Sequence, residues 1–262
     1  MNRIKQIFNK LTASDHFLIF LIILFLLKSF SADSGNYLHI GIEHLIIGFI
    51  WFLPFKYGVD RSKSFQNATI SIFIIILIMQ HTNLNMVTGF SVFVFTYIAK
   101  FFINKSVSYV NPVVFALAMV SMLSFITPFY LLPAVDFNGV THFITILSIY
   151  FPLAIVPLVL SILINGKRLK RSFLSEIYFA TATLVQLSIH QDISWEFILS
   201  QLFVAAILII EPKTSPVGKK QQAILGVSVA VCVHFFVLKG VPNGEVFAIL
   251  IGNIGYYLFR KR

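Results

Sequence analysis

Val110-Asn111-Pro112-Val113-Val114-Phe115-Ala116-Leu117 and Pro242-Asn243-Gly244-Glu245-Val246-Phe247-Ala248-Ile249-Leu250 are two copies of one phrase. In both, an Asn beside a helix-breaking residue stands four positions before the Phe of Val-Phe-Ala. The lead-ins also match: Lys100-Phe101-Phe102 with Lys105, then His234-Phe235-Phe236 with Lys239. A phrase repeated this far apart points to two related halves. In a membrane protein, sites often lie where such halves meet.

The surrounding composition puts the chain in a membrane. It is 58% hydrophobic and 11% charged, whereas a soluble domain carries about 25% charged residues. The net charge of +10 does not point to nucleic acid, because the basic residues sit in short clusters between apolar runs, as in cytoplasmic loops. Cys232 is the only cysteine, so an intrachain disulfide and a paired-cysteine zinc site are both excluded.

Apolar runs predict ten spans, at about 15–31, 39–57, 67–82, 88–104, 112–133, 142–164, 173–189, 195–210, 221–238 and 245–259. Several fall short of the ~20 residues of a perpendicular span. The termini and one set of loops hold every basic residue except Lys28 and Lys239. Lys167, Arg168, Lys170 and Arg171 form the densest of these clusters. The positive-inside rule then places both termini in the cytoplasm, which requires an even number of spans. The first run follows Arg3, Lys5 and Lys10 and has a weak cleavage-like Phe30-Ser31-Ala32; it is read as a retained helix rather than a signal peptide. The copies open spans five and ten, which run in opposite directions. The expected fold is an all-α polytopic membrane protein of about ten transmembrane helices. It is one integral membrane domain made of two inverted five-helix repeats, 1–135 and 136–262.

Polar residues within or beside these spans are the site candidates. Asn111-Pro112 suits a helix start, with Asn as cap and Pro in the first turn. Asn243-Gly244-Glu245 offers a similar start with an acidic first turn. Helix starts entering from opposite faces present partial positive charge to an anionic or carbonyl-bearing ligand; ordinary capping explains them equally well. Asn253, within span ten, needs a partner helix or a cavity. Thr214 and Ser215 precede Pro216, which limits helix there; their hydroxyls suit a cap or a phosphate, with Lys213, Lys219 and Lys220 adding attraction for an anion. Glu43 and Glu176 fall early in spans two and seven, counterparts in an inverted repeat. Embedded acids are functional hypotheses, though these two are close enough to helix ends to reach headgroups. The histidines are read as interfacial or hydrogen-bonded.

Glu211-Pro212-Lys213-Thr214-Ser215-Pro216, Gly226, and the block from Gly240 to Asn253 resemble the Rnf/Nqr membrane-subunit family, found in Rnf complexes and in the sodium-pumping NADH:quinone reductase. Asn111-Pro112 resembles a second family stretch, and the likeness covers about two thirds of the chain. It implies ten helices in an inverted repeat and electron transfer through flavin within the membrane. Family members esterify FMN to a Thr in a Gly-Ala-Thr motif. Here the nearest fragments are Asn138-Gly139-Val140-Thr141 and Ala180-Thr181-Ala182-Thr183. Any FMN or riboflavin is therefore expected to be non-covalent, at Asn111, Thr214, Ser215, Asn243 and Asn253. No metal site and no catalytic residue is expected.

The functional expectation is an integral component of an Rnf/Nqr-like electron-transport system in the bacterial cytoplasmic (inner) membrane. It could be coupled to ion movement. Its partners would be membrane lipid and other membrane or peripheral electron-transfer subunits, not nucleic acid. The alternatives are a small-solute or ion transporter or channel without redox chemistry, and an anchoring subunit with no site of its own.

Overall fold

The computed structural model describes residues 11–29, 39, 41–43, 45–50, 61–78, 86–103, 110–126, 151–190, 192–210, 214–241 and 243–260. Every regular element among them is helical. They are α1 (Ala13–Ser29), α2 (Arg61–Ile78), α3 (Met86–Ile98), α4 (Pro112–Ile126), α5 (Phe151–Ser161), α6 (Ser172–His190), α7 (Trp195–Phe203), α8 (Lys219–Leu238) and α9 (Gly244–Arg260). A further apolar helical stretch covers Gly41–Ile50. The expected boundary between repeats, the Asn138–Thr141 fragment, Glu211 and Lys213 lie outside the described residues.

Three helices do not end where their α-geometry ends. α3 continues through a π-helical turn at Ala99–Ile103, α5 through Ile162–Gly166, and α7 through Val204–Leu208. A π turn widens the backbone by one residue and occurs frequently at functional positions. By length and composition, two helices among the described residues can cross a membrane: α6 over Ser172–Ile189 and α8 over Lys219–Leu238. The remaining apolar stretches among the described residues run 10–17 residues.

The core is built around two enclosed helix segments. In α2, Ile72, Ile75, Ile76 and Leu77 are each 0% exposed, and residues 71–78 are buried without a break. In α7 and its π turn, residues 199–210 are likewise buried throughout. A helix apolar all round belongs inside a bundle. α2 packs on α1; α3 packs on α4; α8 packs on both α6 and α9; and α4 packs on α9. A Cβ on Gly226 of α8 would lie 3.2 Å from the Leu174 carbonyl oxygen and the Tyr178 nitrogen of α6, so glycine is what lets these two backbones approach.

Both turns leading into α6 and α9 end the preceding helix in the same way. Arg171 N–H bonds the Gly166 carbonyl and Lys170 N–H bonds that of Lys167; Val241 bonds Phe236 and Gly240 bonds Val237. This nested pair of bonds places a left-handed residue after the helix. That residue is Lys170 (φ 58°) in one turn and Gly240 (φ 65°) in the other.

The outward faces are apolar. Along α8, Ile224, Val227, Val231, Phe235 and Leu238 are exposed; along α9, Ile251, Ile254, Leu258 and Phe259 are. Polar side chains instead turn inward, among them Asn111, Ser121, Asn165, Ser175, Gln201, Gln222 and Asn253.

Candidate functional site

The inward polar residues form three groups, and two of them use backbone carbonyls as their meeting point. The first is a clamp around Thr214 and Ser215, which are 4% and 5% exposed. Arg171, itself 7% exposed, donates from Nη2 to the Ser215 carbonyl at 3.0 Å and from Nη1 to the Leu169 carbonyl. Gln222, in the first turn of α8, donates from Nε2 to the carbonyls of Lys170 (2.6 Å), Pro216 (3.2 Å) and Val217 (2.8 Å). Its Oε1 accepts from Leu174 N–H at 3.0 Å, satisfying one of the open donors at the start of α6. One amide thus fastens the α5–α6 turn, the start of α6 and the 214–217 loop together. Arg168 extends the contact to the N-terminal segment, donating to the Leu11 carbonyl at 2.7 Å.

The second group surrounds the π turn of α7. The Ala205 carbonyl accepts from Ser175 Oγ of α6 at 2.8 Å. The Ala206 carbonyl accepts from Ser161 Oγ of α5 at 3.3 Å. The Leu208 carbonyl accepts from Asn111 Nδ2 at 3.4 Å. Asn165 Nδ2 donates to Ser161 Oγ at 3.2 Å. Asn165 is 0% exposed, and its Oδ1 has no hydrogen-bond partner among the described residues. Leaving a buried acceptor unmatched costs about 1–3 kcal/mol. A ring of donors from three elements around widened backbone is how unwound helices in transporter folds build polar interiors.

The third group joins the two copies of the repeated phrase. Asn111 caps α4 as expected: Oδ1 accepts from Val113 N–H (3.0 Å) and Val114 N–H (3.2 Å). Asn243 begins α9 differently. Its backbone is left-handed, φ 58°, and its Nδ2 donates to Ser121 Oγ of α4 at 3.0 Å. Ser121 stands ten residues after Asn111, and Asn253 ten after Asn243. Both are buried, at 0% and 3% exposure. Deeper in the bundle, Tyr178 of α6 donates to Gln201 Oε1 of α7 at 2.6 Å, and Glu245 is close enough to act on Tyr178 electrostatically.

Of the five residues expected at a site, four fall into these groups. Thr214 and Ser215 lie in the clamp, Asn111 joins α4 to the π turn, and Asn243 joins α9 to α4. Asn253 is buried where Gly252 brings α9 against α8: a Cβ on Gly252 would stand 2.6 Å from Val229 Cγ2. None of the five lines the 460 Å³ cavity between α8 and α9. Thr214 and Ser215, with Arg171, do present the hydroxyl and cation chemistry that suits a phosphate. The two candidate glutamates of spans two and seven are exposed: Glu43 is paired with His39 at 3.4 Å, and Glu176 lies on α6.

Sequence reasoning missed Gln222, Asn165, Ser161 and Ser175, and counted Arg171 only as loop charge. Compared with known proteins, the chain matches no family model and no curated protein.

Proposed function

We propose that the chain is an integral membrane component of an Rnf/Nqr-like electron-transport system, built as two inverted five-helix repeats in the cytoplasmic membrane. The observation that carries the membrane part of this reading is the apolar outward surface of a bundle that also encloses polar side chains. Ile, Leu, Val and Phe face outward along α8 and α9, while Asn, Gln, Ser and Arg are enclosed. Water would penalise such an exposed face, whereas lipid favours it and drives polar side chains to pair between helices.

Three features support the repeat. The enclosed helices α2 and α7 correspond to spans three and eight, which are counterparts under a five-helix repeat. The helices that the two copies open, α4 and α9, pack on each other, and Asn243 donates to Ser121 across that contact. From Val114 to Met122 and from Val246 to Ile254, the burial class agrees at six of nine paired positions. The electron-transport part rests on the resemblance. The residues that carry it, Thr214, Ser215 and Asn243, are those the fold locks into its interior.

Any electron carrier acting with this chain is a flavin held without a covalent bond or a group on another protein. The role proposed for the chain's own residues is to hold the 214–217 loop and the core helix starts rigid beside it. A second reading, movement of an ion or small solute without redox chemistry, is favoured by the buried ring around the α7 π turn with its unmatched Asn165 Oδ1.

Purification from membranes, followed by an absorption spectrum, separates the two. A flavin band near stoichiometric amount, lost from the polypeptide on denaturation, supports the first. So does recovery with a redox-active partner. A colourless protein, isolated without such a partner, that conducts a solute in liposomes defeats it.

A further inference from the structure

We propose that the cavity between α8 and α9 is a binding groove for one anionic phospholipid of the cytoplasmic leaflet. The cavity has a volume of 460 Å³, within the ~300–1,000 Å³ range of small-molecule sites. It runs along α8 from Gln221 to Cys232, with α9 as its other wall from Ala248 to Phe259. Its lining is almost wholly apolar; Ser228 is one of the few polar side chains there.

Its length argues for a single acyl chain. Eleven residues of helix from Gln221 to Cys232 rise about 16 Å, close to half of the ~30 Å hydrocarbon thickness of a bilayer. A groove that begins at one face and stops midway fits a tail from one leaflet, not a molecule that spans both.

Glycines make the groove possible. At Gly252 the two helices touch, because a Cβ would meet Val229 and Leu225. At Gly255, one turn further, a Cβ would meet nothing within 4 Å. The helices therefore close at one point and part beside it, leaving an apolar slot open to the outside.

Charge selects the headgroup. Lys219 and Lys220, both exposed, precede Gln221 at the mouth. Arg260, the last residue of α9, follows Phe259 in sequence. A basic residue near a membrane surface contributes about 1 kcal/mol to attraction for anionic lipid. An apolar slot of one-leaflet length with a basic mouth matches a phospholipid with a net negative headgroup better than a zwitterionic one.

This inference rests on the membrane reading, so the test begins by asking whether the protein stays in membranes after an alkaline wash. Release there sinks the membrane reading itself. The purified protein in detergent is then titrated with phosphatidylglycerol, phosphatidylcholine, a long-chain quinone and inorganic phosphate, while thermal unfolding and native mass are recorded. A ligand that binds the folded state raises the melting temperature by an amount that grows with the logarithm of one plus the ratio of ligand concentration to Kd. The expected result is a larger upward shift and a retained one-lipid adduct with phosphatidylglycerol. The Lys219→Gln/Lys220→Gln variant should narrow the gap to phosphatidylcholine. Gly255→Leu fills open space without touching the backbone, so it should remove the adduct while leaving the lipid-free melting temperature near that of the wild type. Equal shifts with both phospholipids, a shift matched by phosphate alone, stronger binding of the uncharged quinone, or an adduct that survives Gly255→Leu would each overturn the proposal.

Discussion

Asn111 and Asn243 open the two copies of one phrase, yet they start their helices in different ways. Asn111 uses its side chain on its own helix, accepting from Val113 and Val114, and its remaining Nδ2 reaches the π turn of α7 at Leu208. Asn243 takes a left-handed backbone and sends Nδ2 across to Ser121 on the other copy. The neighbouring residue explains the difference. Pro112 keeps the residue before it out of helical geometry and has a φ suited to the first helical position, which leaves Asn111 placed to cap. Gly244 imposes no such restriction, and only glycine fits there: a Cβ would lie 2.7 Å from Phe236 Cβ. Similar sequence therefore yields one side-chain cap that also reaches α7 and one left-handed start tied to α4.

The largest test of that contrast is at the helix breakers themselves. Gly244→Val should overpack the α8–α9 corner and cost about 3 kcal/mol, seen as a clear drop in the melting temperature of the detergent-solubilised protein. Pro112→Ala should shift it much less. Equal effects would erase the distinction between the two starts.

Asn243 comes next. Asn243→Ala loses the bond to Ser121 and forces a Cβ-bearing residue without a polar side chain into left-handed backbone, together about 2 kcal/mol. Asn243→Gly keeps the backbone comfortable and should recover about half of that loss. If alanine and glycine behave alike, backbone conformation is not what sets this position.

Asn111 should behave as a cap. Asn111→Ala is expected to cost about 1 kcal/mol. Asn111→Asp keeps the acceptor for Val113 and Val114 but surrenders the donor to Leu208, and so should lie between alanine and wild type. An aspartate variant no better than alanine would mean the contact with α7 outweighs the cap.

Ser121→Ala should have the smallest effect, about 0.5–1.5 kcal/mol. A double-mutant cycle with Asn243→Ala should show coupling, since a shared hydrogen bond cannot be lost twice. Strict additivity would remove the proposed bridge between the copies.

The helical character, the Asn111 cap and the burial of Asn253 were readable from the chain. The 214–217 clamp was readable only in part. Thr214 and Ser215 stood out because Pro216 follows them, but Arg171 looked like one more charge in a basic loop. Charge counts record sign and position along the chain, not direction, and Arg171 turns inward to the Ser215 carbonyl. Gln222 was hidden in Lys219-Lys220-Gln221-Gln222, where it looks like a solvated helix start; a single step of about 100° around the helix decides that Gln222 is buried while Gln221 borders the groove. Asn165-Gly166 looks like the beginning of a loop, yet the π turn carries the helix through it and encloses the amide.

By itself the sequence determined what is local or summed along the chain. Apolar runs set the helices, Pro and Gly set their breaks, and loop charge gave an expected orientation. The tertiary structure decided which carbonyls each polar side chain meets. Those partners lie many residues away: Ser121 and Asn243, Arg171 and Ser215, Ser175 and Ala205. A hydrogen bond depends on distance and direction to one atom, and no periodicity in a single helix encodes the position of another.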